Sequence, residues 1–351
     1  MTGPNPTCTV VVPLYNTERY IAETLDSVLA QTFCDFEVVV VNDASSDHGP
    51  AIVEQYMARD NRIRMVTQAN RGLAGARNTG IREARGTYIA FLDADDVWLP
   101  EKLERELAHL EACPDVGLSY APSLFIDEWS ERIGLAQHPQ LTGIDAEHLF
   151  CRNPVGNGSA PVMRRAALDD VMFEIDAPEG RRQCWFDESF RQSEDIELWT
   201  RLAATTAWRV EGIAPPLTLY RVNNTGLSAN IEKQLATWRR FRDKMATIAP
   251  QLVARAGARS ESYQFRYLAR RAAMSGQGFM SLRLSLRSIA IYPRILFEDP
   301  RRTLVTVAFA AAACIVPADF MMGIITGSLN GIARVKQSLT GGRAPAGAGQ
   351  G

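Results

Sequence analysis

The ten residues FLDADDVWLP, Phe91 to Pro100, put three aspartates within four positions directly behind an apolar run. That run, GTYIAFLD from Gly86, reads as a strand. Acidic residues clustered at a strand end either cap the following element or hold a cation. Which of the two applies depends on what the neighbouring strands carry at their own ends.

Working outward, the chain alternates two hydrophobic periods. CTVVVPLYN, Cys8 to Asn16, is a short β-branched strand, and TERYIAETLDSVLAQ then repeats apolar residues at Ile21, Leu25, Val28 and Leu29, the spacing of a helix face. A second strand, Phe36 to Val41, is apolar throughout, as a central parallel strand should be. Ser46 or Asp47 can cap the helix running through Ala51 to Met57. RIRMVTQ supplies a third strand and GLAGARNTGIREAR a third helix. Strands alternating with helices of this length predict a mostly parallel α/β sheet with right-handed crossovers and helices on both faces.

In such sheets ligands sit outside the carboxyl ends of the strands. Three of those ends read Pro13-Leu14-Tyr15-Asn16, Asn42-Asp43-Ala44-Ser45 and Asp93-Ala94-Asp95-Asp96. Taken singly, each is a common turn or cap composition. Their convergence on one sheet edge points to a nucleotide site. Neither a Walker A loop nor G-x-G-x-x-G follows the first strand, which excludes a P-loop and a dinucleotide-binding first turn.

The 351 residues are 46% hydrophobic and 22% charged, the composition of a globular chain with a sizeable core. The six cysteines form no C-x-x-C pair and the four histidines are far apart, so neither a disulfide framework nor a zinc site is signalled. The N-terminus lacks the features of a signal peptide, and a cytoplasmic body is expected. The net charge of −2 conceals an asymmetry. Residues 251–351 carry 13 Lys and Arg against 4 Asp and Glu, a net of +9, which leaves −11 on residues 1–250. Arginines including Arg266, Arg283, Arg287, Arg301 and Arg302 lead into an apolar stretch, Thr303 to Gly327. This order suggests an anionic membrane surface rather than nucleic acid as partner. The uninterrupted apolar part ends near Pro317, short of the roughly 20 residues of a spanning helix. Buried helices split by the proline, in-plane attachment and a stretched span all remain readings of it.

The stretches 9–47, 70–96 (NRGLAGARNTGIREARGTYIAFLDADD) and 193–202 (SEDIELWTRL) resemble family 2 glycosyltransferases with a GT-A fold. The likeness is dense over residues 8–120, returns over 150–228, and keeps the family's motif order. It implies a Rossmann-like, mostly parallel sheet with a C-terminal helical extension. The expected organisation is a nucleotide-sugar half to 120, an acceptor half over 121–230, a basic helical extension over 231–300, an apolar segment over 301–335 and a flexible tail over 336–351. It also implies a nucleoside-diphosphate sugar donor and a glycan, polysaccharide or lipid-linked acceptor.

Breaking the bond to a diphosphate requires its charge to be neutralised, and hard oxygen ligands suit Mg²⁺ or Mn²⁺. By resemblance Asp95 is the metal ligand, Asp93 stands near the donor ribose, and Asp96 is a second ligand or a cap. Asp43 matches the aspartate that contacts the base, with Pro13, Tyr15 and Asn16 shaping the wall beside it. The acceptor hydroxyl needs a base. Glu194 and Asp195 open a helical pattern whose N-terminal dipole favours their ionised forms. The family's base position maps onto Asp195, with Glu194 as its neighbour, implying inverting single displacement. Arg221 can close over the diphosphate, and Arg77 and Asn78 either contact the donor or pack beneath it. A sugar nucleotidyltransferase is the first alternative, although PLYNTERY is not the Gly-rich basic loop it needs. A non-catalytic nucleotide-sugar or glycan-binding protein is the second, set against the retention of Asp43, Asp93, Asp95 and Asp195.

Overall fold

The computed structural model describes residues 5–178, 180–222 and 231–315. In chain order the elements are β1 (Cys8–Leu14), α1 (Ile21–Leu29), β2 (Phe36–Asn42), α2 (Gly49–Met57), β3 (Ile63–Thr67), α3 (Gly72–Glu83), β4 (Tyr88–Phe91), β5 (Val97–Trp98), α4 (Lys102–Ala112) and β6 (Val116–Tyr120). There follow β7 (Ser123–Ile126), β8 (Arg132–Ala136), α5 (Ala146–Cys151), β9 (Pro161–Arg164), α6 (Arg165–Asp169), β10 (Phe173–Ala177), β11 (Gly180–Cys184), α7 (Glu194–Thr205), β12 (Arg209–Gly212) and β13 (Thr218–Arg221). The last five are the helices α8 (Ile231–Ile248), α9 (Pro250–Met274), α10 (Gly278–Ile291), α11 (Ile295–Glu298) and α12 (Pro300–Ala312).

A seven-stranded sheet has the order β12-β6-β9-β4-β1-β2-β3. Every neighbouring pair is parallel except the two that β9 makes with β4 and β6. All seven residues of β1 and of β2 are buried, as expected for strands covered on both faces. The α/β reading therefore holds, and the first four strands lie where their patterns put them. Asp47 Oδ1 accepts the Gly49 amide at 3.0 Å in a local turn, but the N-cap residue of α2 is His48 and no side chain caps the helix, so the cap expected from Ser46 or Asp47 is not formed. Gly80 lets α3 lie close on β1, since a Cβ there would come within 2.1 Å of Val11 Cγ1.

A smaller four-stranded sheet, β5-β13-β7-β8, was not foreseen from the sequence. It matters for the site because β5 begins immediately after the acidic cluster, and β13 pairs with it through Thr218 to Trp98 and Leu219 to Val97. Arg221 is thereby brought beside Asp96, 125 residues away.

The chain divides into two compact units after Ser260, inside α9. The extension expected to begin at 231 is thus partly in the first unit. Trp238, Phe241 and Met245 of α8 cluster with Phe150 and Phe190, an apolar face that the basic composition of this region had obscured. The second unit comprises the rest of α9 with α10 to α12. No described helix is long and apolar enough to cross a membrane. The expected apolar segment beyond 315 and the tail over 336–351 lie outside the described residues.

Candidate active site

Strands β4, β1 and β2 are neighbours, so the three polar strand ends share one edge of the sheet. Tyr15 and Asn16 follow β1, Asp43 follows β2, and Asp93 to Asp96 follow β4. Tyr15 is 52% exposed, which suits a ring that packs on a base. Pro13 differs from expectation. It lies inside β1, buried and in register with Val41, and supports the wall from within rather than lining it. Asn16, at φ 52°, turns its carboxamide oxygen to the amide of Ser46 at 2.9 Å and so fixes the loop after β2.

Asp43 is 2% exposed and organises the loop entering α3. Its Oδ1 accepts from the Arg71 amide (2.8 Å) and Gln68 Nε2 (2.7 Å), and its Oδ2 accepts from the Gly72 amide (2.8 Å). Three donors thus converge on one carboxylate. They also account for the glycines of RGLAGARN, since Gly72 stands at φ +76°.

The acidic cluster divides by environment. Asp93 and Asp95 are partly exposed, whereas Asp96 is 1% exposed. Asp96 Oδ2 accepts from Ser159 Oγ at 2.5 Å, Oδ1 accepts from the Arg221 amide at 2.8 Å, and its carbonyl accepts from Thr24 Oγ1 at 2.8 Å. Asp96 thus joins β13, the loop before β9 and α1, and the reading of it as a second metal ligand gives way to a structural one. Burial pushes its proton affinity well up, and the charges of Asp95 and Asp93 push it further.

Arg221 also departs from expectation. Its Nε donates to the Asp95 carbonyl (2.7 Å), Nη1 to the Asp127 carbonyl (2.8 Å) and Ser130 Oγ (3.0 Å), and Nη2 to Glu23 Oε2 (2.8 Å). The guanidinium also lies 4.3 Å over the Tyr20 ring. With its donors engaged by protein acceptors, it braces the cluster from beneath.

One side chain connects the acidic strand end to the start of α7. Arg77 of α3 is 1% exposed; its Nη2 donates to Asp93 Oδ1 at 2.6 Å and its Nη1 to Glu194 Oε1 at 2.7 Å. Gly158 provides the space, because a Cβ there would meet Arg77 Nη2 at 2.0 Å and Asp93 Oδ2 at 3.2 Å. The neighbouring Asn78 settles the other open reading. Its carboxamide accepts from the Trp185 and Phe186 amides and donates to the Phe186 carbonyl, so it packs beneath the site. Trp185 and Trp199 are core residues.

Glu194 and Asp195 open α7, as the pattern indicated. Ser193 precedes them in the left-handed region (φ 60°) without capping through its side chain, while Asp195 Oδ1 accepts from the Ile196 amide at 2.8 Å. Burial outweighs the helix terminus at both carboxyls. Glu194 is pushed up to about 7 by burial, with Arg77 opposing and Asp195 and Asp93 reinforcing. Asp195 is likewise raised by burial and by Asp93, with Arg77 opposing. A carboxylate of raised basicity, near the acidic strand end, is chemically a proton acceptor. The Tyr220 phenol is raised chiefly by burial and then by the charges of Asp96, Asp93, Asp95 and Asp195 together.

Asp93 and Asp95 present hard oxygen donors at alternate positions of a strand end, and the crowding that raises Asp96 shows an excess of negative charge. Both features fit a divalent cation held by few protein ligands. Sequence reasoning missed Gly158 and Ser159, which support Asp93 and Asp96, and Glu188, which pairs with Arg71 at 2.6 Å. The small residues of GNGS, Gly156 to Ser159, directly before a strand were the available signal.

The fold is that of the GT-A class. The model of glycosyl transferase family 2 matches residues 9–172. The chain is 53% identical over 230 residues to the glycosyltransferase EpsJ of Bacillus subtilis (strain 168), covering 64% of this chain and 63% of that protein. It is 40% identical over 187 residues to the glycosyltransferase alr2836 of Nostoc sp., covering 51% and 56%. The matched region is thus less than two thirds of either relative. Among solved structures, S. aureus TarS 1–349 in complex with UDP-GlcNAc superposes with a TM-score of 0.56 at 18% identity, covering 88% of this chain and 91% of that one. A mannosyltransferase from Pyrobaculum calidifontis in complex with GDP-Man and Mn²⁺ gives 0.54 at 21%, covering 89% and 86%. At these identities the likeness establishes the fold.

Proposed function

We propose that the chain transfers a sugar from a nucleoside-diphosphate donor, a UDP-sugar, to a hydroxyl of a glycan, polysaccharide or lipid-linked acceptor, with inversion at the anomeric carbon. The observation that carries this reading is the Arg77 bridge, which ties Asp93 on the donor edge to Glu194, the neighbour of Asp195. Asp195 takes the proton of the acceptor hydroxyl, the oxygen forms its bond to the anomeric carbon, and the bond to the diphosphate breaks with its electron pair on the leaving phosphate. Glu194, pushed up to about 7 by burial, holds Arg77 in place and borders the acceptor pocket.

Asp95 and Asp93 would hold Mg²⁺ or Mn²⁺, which supplies countercharge for the diphosphate. Asp43 orders the loop against which the base lies, and Tyr15 packs on it. The UDP-GlcNAc and the GDP-Man with Mn²⁺ in the two structural neighbours support a nucleotide-sugar donor and a divalent ion. The reaction is assigned to the cytoplasmic side of a membrane with anionic lipid, in keeping with the net +9 of residues 251–351.

Calorimetric titration with UDP, GDP and dTDP, with and without Mn²⁺, tests the donor assignment on the wild-type chain and on Asp95→Ala. Binding of UDP that needs both the ion and Asp95 is expected. Ion-independent binding, or none, would remove the metal-assisted reading.

A further inference from the structure

In the second unit α9 and α11 bury Phe265, Leu268 and Ile295 in the ordinary way, whereas α10 and α12 are turned inside out. Helix α10 buries Gly278, Ser281, Ser285 and Ser288, with Leu284 the one large apolar residue among its buried positions. Its outward positions include Phe279, at 80% exposure, Met280 and Leu286, with the exposed Arg283 and Arg287 between them. Positions 279, 283, 286 and 290 follow the helical repeat, so this is one continuous stripe. Helix α12 repeats the inversion. It buries Thr303, Thr306 and Ala310 and exposes Leu304 and Val305 behind Arg301 and Arg302.

The small interior is a close-packed one. Ser262 and Ser288 each donate to the other's carbonyl at 2.8 Å, and Ser281 Oγ donates to the Ala269 carbonyl at 2.7 Å. A Cβ at Gly278 would come within 2.1 Å of the Ala313 carbonyl oxygen. Buried Arg266 donates from Nη1 to Thr303 Oγ1 (2.8 Å) and from Nη2 to Asp299 Oδ2 (2.9 Å). Helices joined through small and hydroxyl-bearing residues, with their large apolar side chains turned outward, follow the packing rule of a lipid environment. Among the described residues, the 55 from Glu261 to Ile315 expose eight large apolar side chains, as many as all those before them. Scatter over a water-facing surface does not give that density.

We infer that α10 and α12 lie in the plane of an anionic bilayer surface, with Phe279, Leu286, Leu304 and Val305 below the headgroups and Arg283, Arg287, Arg301 and Arg302 at their phosphates. Charge selects this occupant over a second copy of the chain, because two such arginine-bearing faces would repel each other. At 14 residues α10 extends about 21 Å, less than the roughly 30 Å hydrocarbon core, and it carries two arginines. It lies on the membrane and does not cross it. This inference deepens the membrane assignment made above and is independent of the transfer chemistry.

The test is flotation of the full chain with vesicles of phosphatidylglycerol and phosphatidylcholine or of phosphatidylcholine alone, with UDP binding measured in parallel. The wild type is expected to float with the anionic vesicles about tenfold more than with the neutral ones. Phe279→Ser with Leu286→Ser, and separately Leu304→Ser with Val305→Ser, should each lower flotation about tenfold while circular dichroism and UDP binding stay unchanged. The fluorescence gained in Phe279→Trp or in Val305→Trp should be quenched by lipids brominated on the acyl chain. Failure of the folded wild type to float, flotation unaffected by either double variant, or a fall in oligomer mass without lipid binding would each overturn it. A chain that floats but binds no UDP would leave this inference standing and remove the donor reading.

Discussion

Strand β1 and helix α12 are both rich in valine, leucine or alanine, yet they place these residues oppositely. The strand buries every one of its seven residues. The helix buries two threonines and an alanine and leaves Leu304 and Val305 outside. Apolar content therefore does not by itself determine the inside of a unit; what matters is the medium each face meets. The first unit is sorted for water, with its large apolar side chains inside. Helices α10 and α12 of the second are sorted for a surface that welcomes leucine.

The largest effect that could break this comparison lies in the first unit. Asp195→Asn keeps the shape and removes the proton acceptor, so kcat should fall by about 10²–10⁴ in a sugar-transfer assay, with UDP affinity and vesicle flotation unchanged. A parallel loss of flotation would mean that the units do not act separately. Next, Phe91→Ala removes a fully buried ring that meets Phe186 edge-on at 5.4 Å. It should cost about 3–5 kcal/mol in denaturant unfolding.

A smaller effect follows from pH. Because burial raises the Asp195 carboxyl, it keeps its proton to higher pH than an ordinary aspartate at about 4. Only the deprotonated form accepts a proton, so kcat/KM should rise with pH along a limb lying above that value. Glu194→Gln removes a like charge beside it, and the limb should then move to lower pH. Smallest of all, Leu304→Ala should change unfolding stability in lipid-free buffer by no more than about 0.5 kcal/mol. A loss as large as that at Phe91 would show that Leu304 is packed against something and would erase the contrast between the regions.

How much of this could be read beforehand followed from range. Strands β1 and β2 and the acidic strand end were legible because apolar runs and turn chemistry are local signals. Pro13 was misjudged by a single step along β1, since a proline near a strand end gives no indication of whether the ladder has finished. The roles of Asp96 and Arg221 were illegible because their partners are 125 positions apart and meet only through a second sheet that the sequence does not announce. Asp195 was expected to be favoured in its ionised form on the strength of its helix terminus. Burial, which a sequence does not display, reversed the balance. The inversion in the second unit was hidden for the opposite reason. Its composition was visible, but composition does not say which way a face turns.

The Arg77 bridge has a mechanical consequence. Both of its nitrogens belong to one planar, rigid group, with Asp93 on one and Glu194 on the other. The spacing between these two carboxylates is accordingly set like the jaws of a fixed-gap clamp. Thermal motion that displaces the end of β4 carries the start of α7 with it, so the two sides of the cleft move as one piece. A lysine there would keep the charge but hold both carboxylates through a single nitrogen, without a fixed gap between them.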